Sequence, residues 1–256
     1  MNRINRLFRQ KEKNILSIYF TAGYPGLNDT MEIITCLDKA GVDMIEIGMP
    51  FSDPVADGPV IQGSSEKALK NGMTLSLLFN QLKEVRKRTD IPLLLMGYFN
   101  PIFKYGVEKV LETCNKTGID GTIIPDLPVE EYTDQYEKLF TANGIINTFL
   151  ITPQSSETRI RYLDSISKGF LYVVSTSATT GIKKSFESSH LEYFSKLNEM
   201  GLRSPRLTGF GISGKGTFDQ ACLYSEGAII GSAFVRVLED KGSLHENIRK
   251  FINTFR

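Results

Sequence analysis

The chain has 256 residues, 41% of them hydrophobic and 23% charged, and its 30 Lys and Arg against 29 Asp and Glu leave a formal net charge of +1. That balance excludes a global electrostatic pull toward nucleic acid or acidic membranes, and no local basic block replaces it. The longest nearly unbroken apolar stretch, residues 91–96, falls far below the roughly 18 residues of a membrane span, so a soluble, cytoplasmic chain is expected.

Residues 1–13 carry Arg3, Arg6, Arg9, Lys11 and Lys13, with Ile4, Leu7 and Phe8 at helical spacing. They suggest an amphipathic helix covering one end of the core, in preference to a transit peptide. Eight β-rich runs then recur at 15–21, 43–48, 92–97, 121–124, 146–151, 170–175, 206–210 and 228–231, and helical periodicity marks 28–40, 74–88, 129–143, 156–168 and 190–200 between them. Gly41, Gly118, Gly144, Gly169 and Gly227 stand where a helix could end in the left-handed conformation before the next strand. Eight βα units in about 250 residues predict an α/β chain, a single-domain (β/α)8 TIM barrel over residues 1–256 with an extra N-terminal helix. An open doubly wound sheet is the runner-up, but it would use fewer strands and place its Gly-rich turn early. Cys36, Cys114 and Cys222 lie far apart in helical segments and suggest buried, reduced thiols. His190 and His245 have no second ligand near them in the sequence, so no metal site is expected.

The longest interval between strands follows the second one and holds Glu46-Ile47-Gly48-Met49-Pro50-Phe51-Ser52-Asp53-Pro54-Val55-Ala56-Asp57-Gly58-Pro59. Period-two alternation puts Met44, Glu46 and Gly48 on one face of that strand. Glu46 is therefore expected to be buried, where the cost of burying charge raises a carboxyl pKa toward the range of acid–base work. A core Glu satisfied by backbone is the bland alternative, and a position near the C-terminal end of a barrel strand favours the catalytic one. Three prolines stiffen the loop that carries Asp53 and Asp57. Turn capping would explain either residue, and two carboxylates on one strand-plus-loop unit could also divide acid and base roles. Asp126 ends the fourth strand, where it could contact substrate or hold a neighbouring loop. Tyr172 shares a face of the sixth strand with Phe170 and Val174, as an ordinary core tyrosine would.

Glycine-rich signals cluster late. Gly209-Phe210-Gly211-Ile212-Ser213-Gly214 satisfies the dinucleotide pattern literally, yet no acidic residue ends the next strand, and Gly216 after Lys215 breaks the P-loop match. Glycines after strand seven followed by Gly231-Ser232 after strand eight instead suit the backbone-amide phosphate cup that many barrels carry there, and Thr180-Gly181 could close it.

With these motifs placed, the sequence resembles the family of tryptophan synthase α subunits. The resemblance is carried by Thr21-Ala22-Gly23, the loop of residues 50–59, Asp126-Leu127-Pro128, Gly209-Phe210-Gly211-Ile212-Ser213 and Gly231-Ser232-Ala233 in family order. It implies retro-aldol cleavage of indole-3-glycerol phosphate to indole and glyceraldehyde 3-phosphate, a lyase step in tryptophan biosynthesis. By resemblance, Glu46 and Asp57 are the catalytic pair, Tyr19, Asp126, Tyr172 and Thr180 bind substrate, and Gly181, Gly211, Gly231 and Ser232 bind its phosphate. Asp53 belongs to the loop facing the partner. The resemblance also implies no cofactor in this chain, a β subunit carrying pyridoxal phosphate (PLP), and an α2β2 assembly. Two places depart from the family pattern: Thr176 and Ala178 in the run after the sixth strand, and Tyr24 where the family has Asp. Altered loop closure and altered β activation are the expected consequences. A stand-alone lyase that releases free indole and a catalytically poor activator of the β subunit are the competing readings.

Overall fold

Strands that are apolar along their whole length need cover on both faces, and a closed parallel barrel wrapped in helices supplies it. A computed structural model describes residues 1–175, 188–209 and 211–256. Within them, β1 (Ile15–Thr21), β2 (Met44–Gly48), β3 (Leu93–Met96), β4 (Gly121–Ile123), β5 (Ile146–Ile151), β6 (Leu171–Val174), β7 (Arg206–Gly209) and β8 (Gly227–Ile230) pair in chain order, and β8 returns to β1. The predicted barrel is the observed one.

The barrel interior is packed by alternate residues, among them Ile15, Met44, Leu94, Ile146, Leu207 and Ile229. Their neighbours in sequence, such as Ile18, Phe20, Ile45, Ile47 and Leu95, face the helical ring instead. Before the barrel comes α1 (Arg3–Gln10), started by Asn2, whose side-chain oxygen accepts the Ile4 N–H at 2.9 Å. Ile4 is fully buried in the interior cluster, and Phe8 lies against Phe170 with ring centroids 5.7 Å apart. Arg3 together with Arg86 brackets the buried carboxylate of Asp120. The N-terminal helix thus plugs the end of the barrel opposite the strands' C-termini, as its apolar spacing predicts.

The ring continues with α2 (Thr30–Lys39), α3 (Pro59–Lys70), α4 (Leu75–Leu82), α5 (Phe99–Tyr105) and α6 (Val107–Thr117). Then follow α7 (Val129–Glu131), a π-helical turn (Tyr132–Tyr136), α8 (Glu137–Ala142), α9 (Glu157–Ile166) and α10 (Ser188–Glu199). The last three are α11 (Lys215–Tyr224), α12 (Ser232–Val237) and α13 (Leu244–Asn253). None of the helices among the described residues is long and apolar enough to cross a membrane.

Two sequence expectations are corrected here. The helix expected over 74–88 stops at Leu82 and is followed by a separate 3-10 turn (Val85–Lys87). Among the five glycines, Gly41, Gly118 and Gly144 do take positive φ of 85°, 80° and 68°, but Gly169 and Gly227 do not. Gly227 lies inside β8, where a Cβ would overlap the Ile15 carbonyl of β1. Its role is close strand approach at the seam that closes the barrel.

Candidate active site

Parallel strands point all their C-termini one way, and there the ends of β1, β2, β3 and β6 meet the loops after β2, β7 and β8 around a cavity. Ile61, Met96, Ile212 and Ile229 give it apolar walls, and the polar groups collect in two clusters.

The first cluster is acidic. Glu46 sits on the interior face of β2 with no exposure, in register with Tyr19 of β1. The Ser17 hydroxyl donates to its Oε1 at 2.9 Å, while Oε2 has no hydrogen-bond partner among the described residues. A core Glu satisfied by backbone is therefore not what the barrel holds. Burial pushes its carboxyl up to about 8, partly offset by the Ser17 hydrogen bond. Asp57 reaches the same cavity from the proline-stiffened loop, and burial pushes it up to about 6. Its Oδ2 accepts the Tyr98 hydroxyl at 3.1 Å, and that hydroxyl in turn accepts the Ala56 N–H at 2.9 Å. Burial raises Glu46 further than Asp57, so the two carboxyls sit in unlike surroundings on one cavity.

Tyr19 and Tyr172 are buried beside this pair, and desolvation raises both phenols. Their seats exist because two neighbouring strand positions lack side chains. A Cβ on Gly48 would overlap the Tyr19 ring, and one on Gly209 the Tyr172 ring. The Tyr19 hydroxyl lies 3.3 Å from Thr21 Oγ1, which is 2.6 Å from Ser64 Oγ, so α3 is tied to the end of β1.

The second cluster gathers three of the residues expected to form a phosphate cup. Gly211 has φ of 74°, and Gly231 and Ser232 begin α12; all three line the cavity. The Ser232 hydroxyl has no hydrogen-bond partner among the described residues. One turn along α12, Arg236 also lines the cavity and makes no ion pair among the described residues.

Thr180 and Gly181 lie outside the described residues, as do Thr176 and Ala178. Asp126 is brought close but not in. It is exposed, and its Oδ1 accepts the Phe99 N–H at 2.8 Å, so it holds the start of α5 and does not line the cavity. Asp53 is exposed on the outer side of its loop, bonded to Ser52. The Tyr24 departure has a structural answer. Tyr24 is buried, its hydroxyl donates to Glu239 beyond α12, and the Lys67 ammonium of α3 lies 5.2 Å from its ring centroid.

Sequence reasoning missed Tyr98 and Arg236. The signal for Tyr98 was its place just past the end of β3, on the rim that carries Asp57. Arg236 could have been found four residues after Ser232, on the helix face that a cup residue begins.

A family model described as tryptophan synthase alpha chain matches residues 6–255. The tryptophan synthase alpha chain of Flavobacterium psychrophilum is 56% identical, over 99% of both chains, and that of Flavobacterium johnsoniae is 54% identical over the full length of both. Among solved structures, tryptophan synthase subunit alpha from Legionella pneumophila superposes with a TM-score of 0.89 at 30% identity, covering 100% of this chain and 97% of that one. A chain of the tryptophan synthase complex from Pyrococcus furiosus does so with a TM-score of 0.85 at 32% identity, covering 96% and 98%.

Proposed function

This chain belongs to the tryptophan synthase alpha chain family, and from that premise we propose how its own residues cleave indole-3-glycerol phosphate to indole and glyceraldehyde 3-phosphate. The observation that carries the assignment is that Glu46, fully buried with one free carboxyl oxygen among the described residues, and Asp57 line the same apolar cavity.

Cleavage needs indole C3 protonated first, which leaves positive charge on the ring nitrogen. Glu46 delivers that proton. Asp57, held by Tyr98, stabilises the charged nitrogen and accepts its hydrogen bond. The Glu46 carboxylate then removes the proton from the side-chain hydroxyl next to C3. The bond between C3 and the glycerol chain breaks as the aldehyde forms, and its electrons return to the ring. Glu46 ends as it began, so protons balance over the cycle. General acid–base help of about 10²–10⁴-fold corresponds to roughly 3–5.5 kcal/mol of barrier for each group.

The walls of Ile61, Met96, Ile212 and Ile229 suit the flat apolar indole, with Tyr19 and Tyr172 beside it. The phosphate sits over Gly211, Gly231 and Ser232 at the start of α12; Thr180 and Gly181, given these roles by the resemblance, lie outside the described residues. Backbone amides and a helix N-terminus favour an anion there, and Arg236 adds a formal charge at the mouth.

The partner in this reading is a β subunit, which receives the indole and carries the PLP, in an α2β2 assembly. The exposed Asp53 loop, with Val55 82% exposed, and Phe103 on α5, 61% exposed, form the face toward it. The stand-alone lyase and the inactive activator are not favoured, because the relatives named above are all tryptophan synthase chains.

Steady-state indole release by this chain, alone and with β subunit, tests the proposal. Activity should rise when β is added, and Glu46→Gln and Asp57→Asn should each lose about 10²–10⁴-fold in kcat. Near-wild-type turnover in either variant would overturn the corresponding role.

A further inference from the structure

At the seam where the barrel closes, α2 from the first βα unit packs against α13 from the last. Glu32 and Cys36 stand four residues apart on one face of α2, and α13 brings His245 beside them. One ligand atom from each, a carboxylate oxygen, the thiol sulfur and an imidazole nitrogen, all lie within 4.8 Å of one another. His245 Nε2 is 3.8 Å from Glu32 Oε1. The sequence expectation that His245 lacks a second ligand therefore holds only along the chain, not in space. We infer that Glu32, Cys36 and His245 form a binding site for one transition-metal dication of the zinc class, separate from the catalytic cavity.

The donor set selects the ion. Magnesium and calcium take oxygen ligands, whereas a mixture of thiolate, imidazole and carboxylate suits zinc and its neighbours. Bond lengths of about 2.3 Å to sulfur and 2.0–2.2 Å to nitrogen and oxygen put tetrahedral donors roughly 3.2–3.8 Å apart. The cluster must therefore draw in by about 1 Å. The side chains that would move are free to do so: His245 is 56% exposed and Glu32 50%. Cys36, only 5% exposed, is held by core packing and fixes the inner apex. On binding, the thiol proton passes to solvent, and thiolate plus carboxylate then balance the two positive charges while the imidazole stays neutral. The exposed side leaves a fourth position for water. Bridging the first and last units, the ion would clip α13 onto α2 where β8 meets β1.

The test uses the full-length chain, freed of metal by a chelator and titrated with Co2+ and then Zn2+. One equivalent of Co2+ should produce a near-ultraviolet thiolate-to-cobalt charge-transfer band, Zn2+ should displace it, and Zn2+ should raise the thermal unfolding midpoint. Cys36→Ser should abolish the band while Cys114→Ser keeps it. His245→Ala, a change at a half-exposed position that the fold tolerates, should weaken Zn2+ binding at least tenfold. The site is overturned by a missing band, by a band that survives Cys36→Ser, or by unchanged affinity in His245→Ala. Indole release is an independent readout, so failure here leaves the proposed reaction standing.

Discussion

Glu46 and Asp57 are both carboxylic acids, yet burial raises Glu46 further than Asp57, to about 8 against about 6. Glu46 is enclosed by barrel walls with one hydrogen bond; Asp57 sits in a loop braced by Tyr98. If Glu46 acts first as the acid and Asp57 works ionised, kcat/KM should be bell-shaped, rising through about 6 and falling through about 8. Asp57→Asn should flatten the acid limb in whatever activity remains. Stability follows the same groups. Folding raises the Glu46 pKa from 4.5 to about 8, so between those values the folded chain binds more protons than the unfolded one. The benefit of a neutral Glu46 is present below about 4.5 and is lost as pH rises toward about 8. Glu46→Gln should therefore unfold at a higher midpoint than wild type at pH 9, by an amount corresponding to about 2–5 kcal/mol, with the gap shrinking toward pH 5. Thermal melts at the two pH values check this, and an equal gap at both would refute it. Burial of Glu46 was legible in its alternation with Met44 and Gly48. Tyr98 and Arg236 were not, because nothing local distinguishes a rim tyrosine or a helix arginine until the loops converge.

Among elements, helices and strands followed their periodicities closely, and the exceptions have specific causes. The interval after β2 hides α3, since Gln62-Gly63-Ser64-Ser65-Glu66 dilutes its apolar stripe. Its start is nonetheless prepared by Pro59 at the first helical position. Glycines that look alike in sequence do different work. Gly41 ends a helix at φ 85° with open space around the position of a Cβ, whereas Gly227 is in an ordinary strand pressed against Ile15. Gly41→Ala should cost about 1 kcal/mol through backbone conformation alone. Gly227→Ala should cost more, about 2–3 kcal/mol, because β8 must move off β1. Urea midpoints rank the two, and the reverse order would contradict the close-approach role.

For the whole molecule, the barrel gathers Glu46, Asp57, Gly211, Gly231 and Ser232, the proposed catalytic and phosphate-binding groups, at one end while α1 seals the other. The outward Asp53 and the inward Asp57 share one short segment, so the proposed partner face lies four residues from the cavity. Asp53→Ala should leave indole release by the isolated chain within about twofold and reduce its activation by β subunit about tenfold, a loss of roughly 1.4 kcal/mol in coupling. Stopped assays with and without β measure both arms, and equal losses in both would place Asp53 in the reaction instead. Sequence by itself determined the eight-unit barrel, the terminal helix and the buried Glu46, because strand and helix periods and turn chemistry are local properties written in neighbouring residues. Only the tertiary structure decided that Asp126 braces α5 instead of lining the cavity, that Tyr98 holds Asp57, and that Glu32 and Cys36 meet His245. Those pairings depend on barrel closure, which brings distant parts of the chain within hydrogen-bond or ligand range.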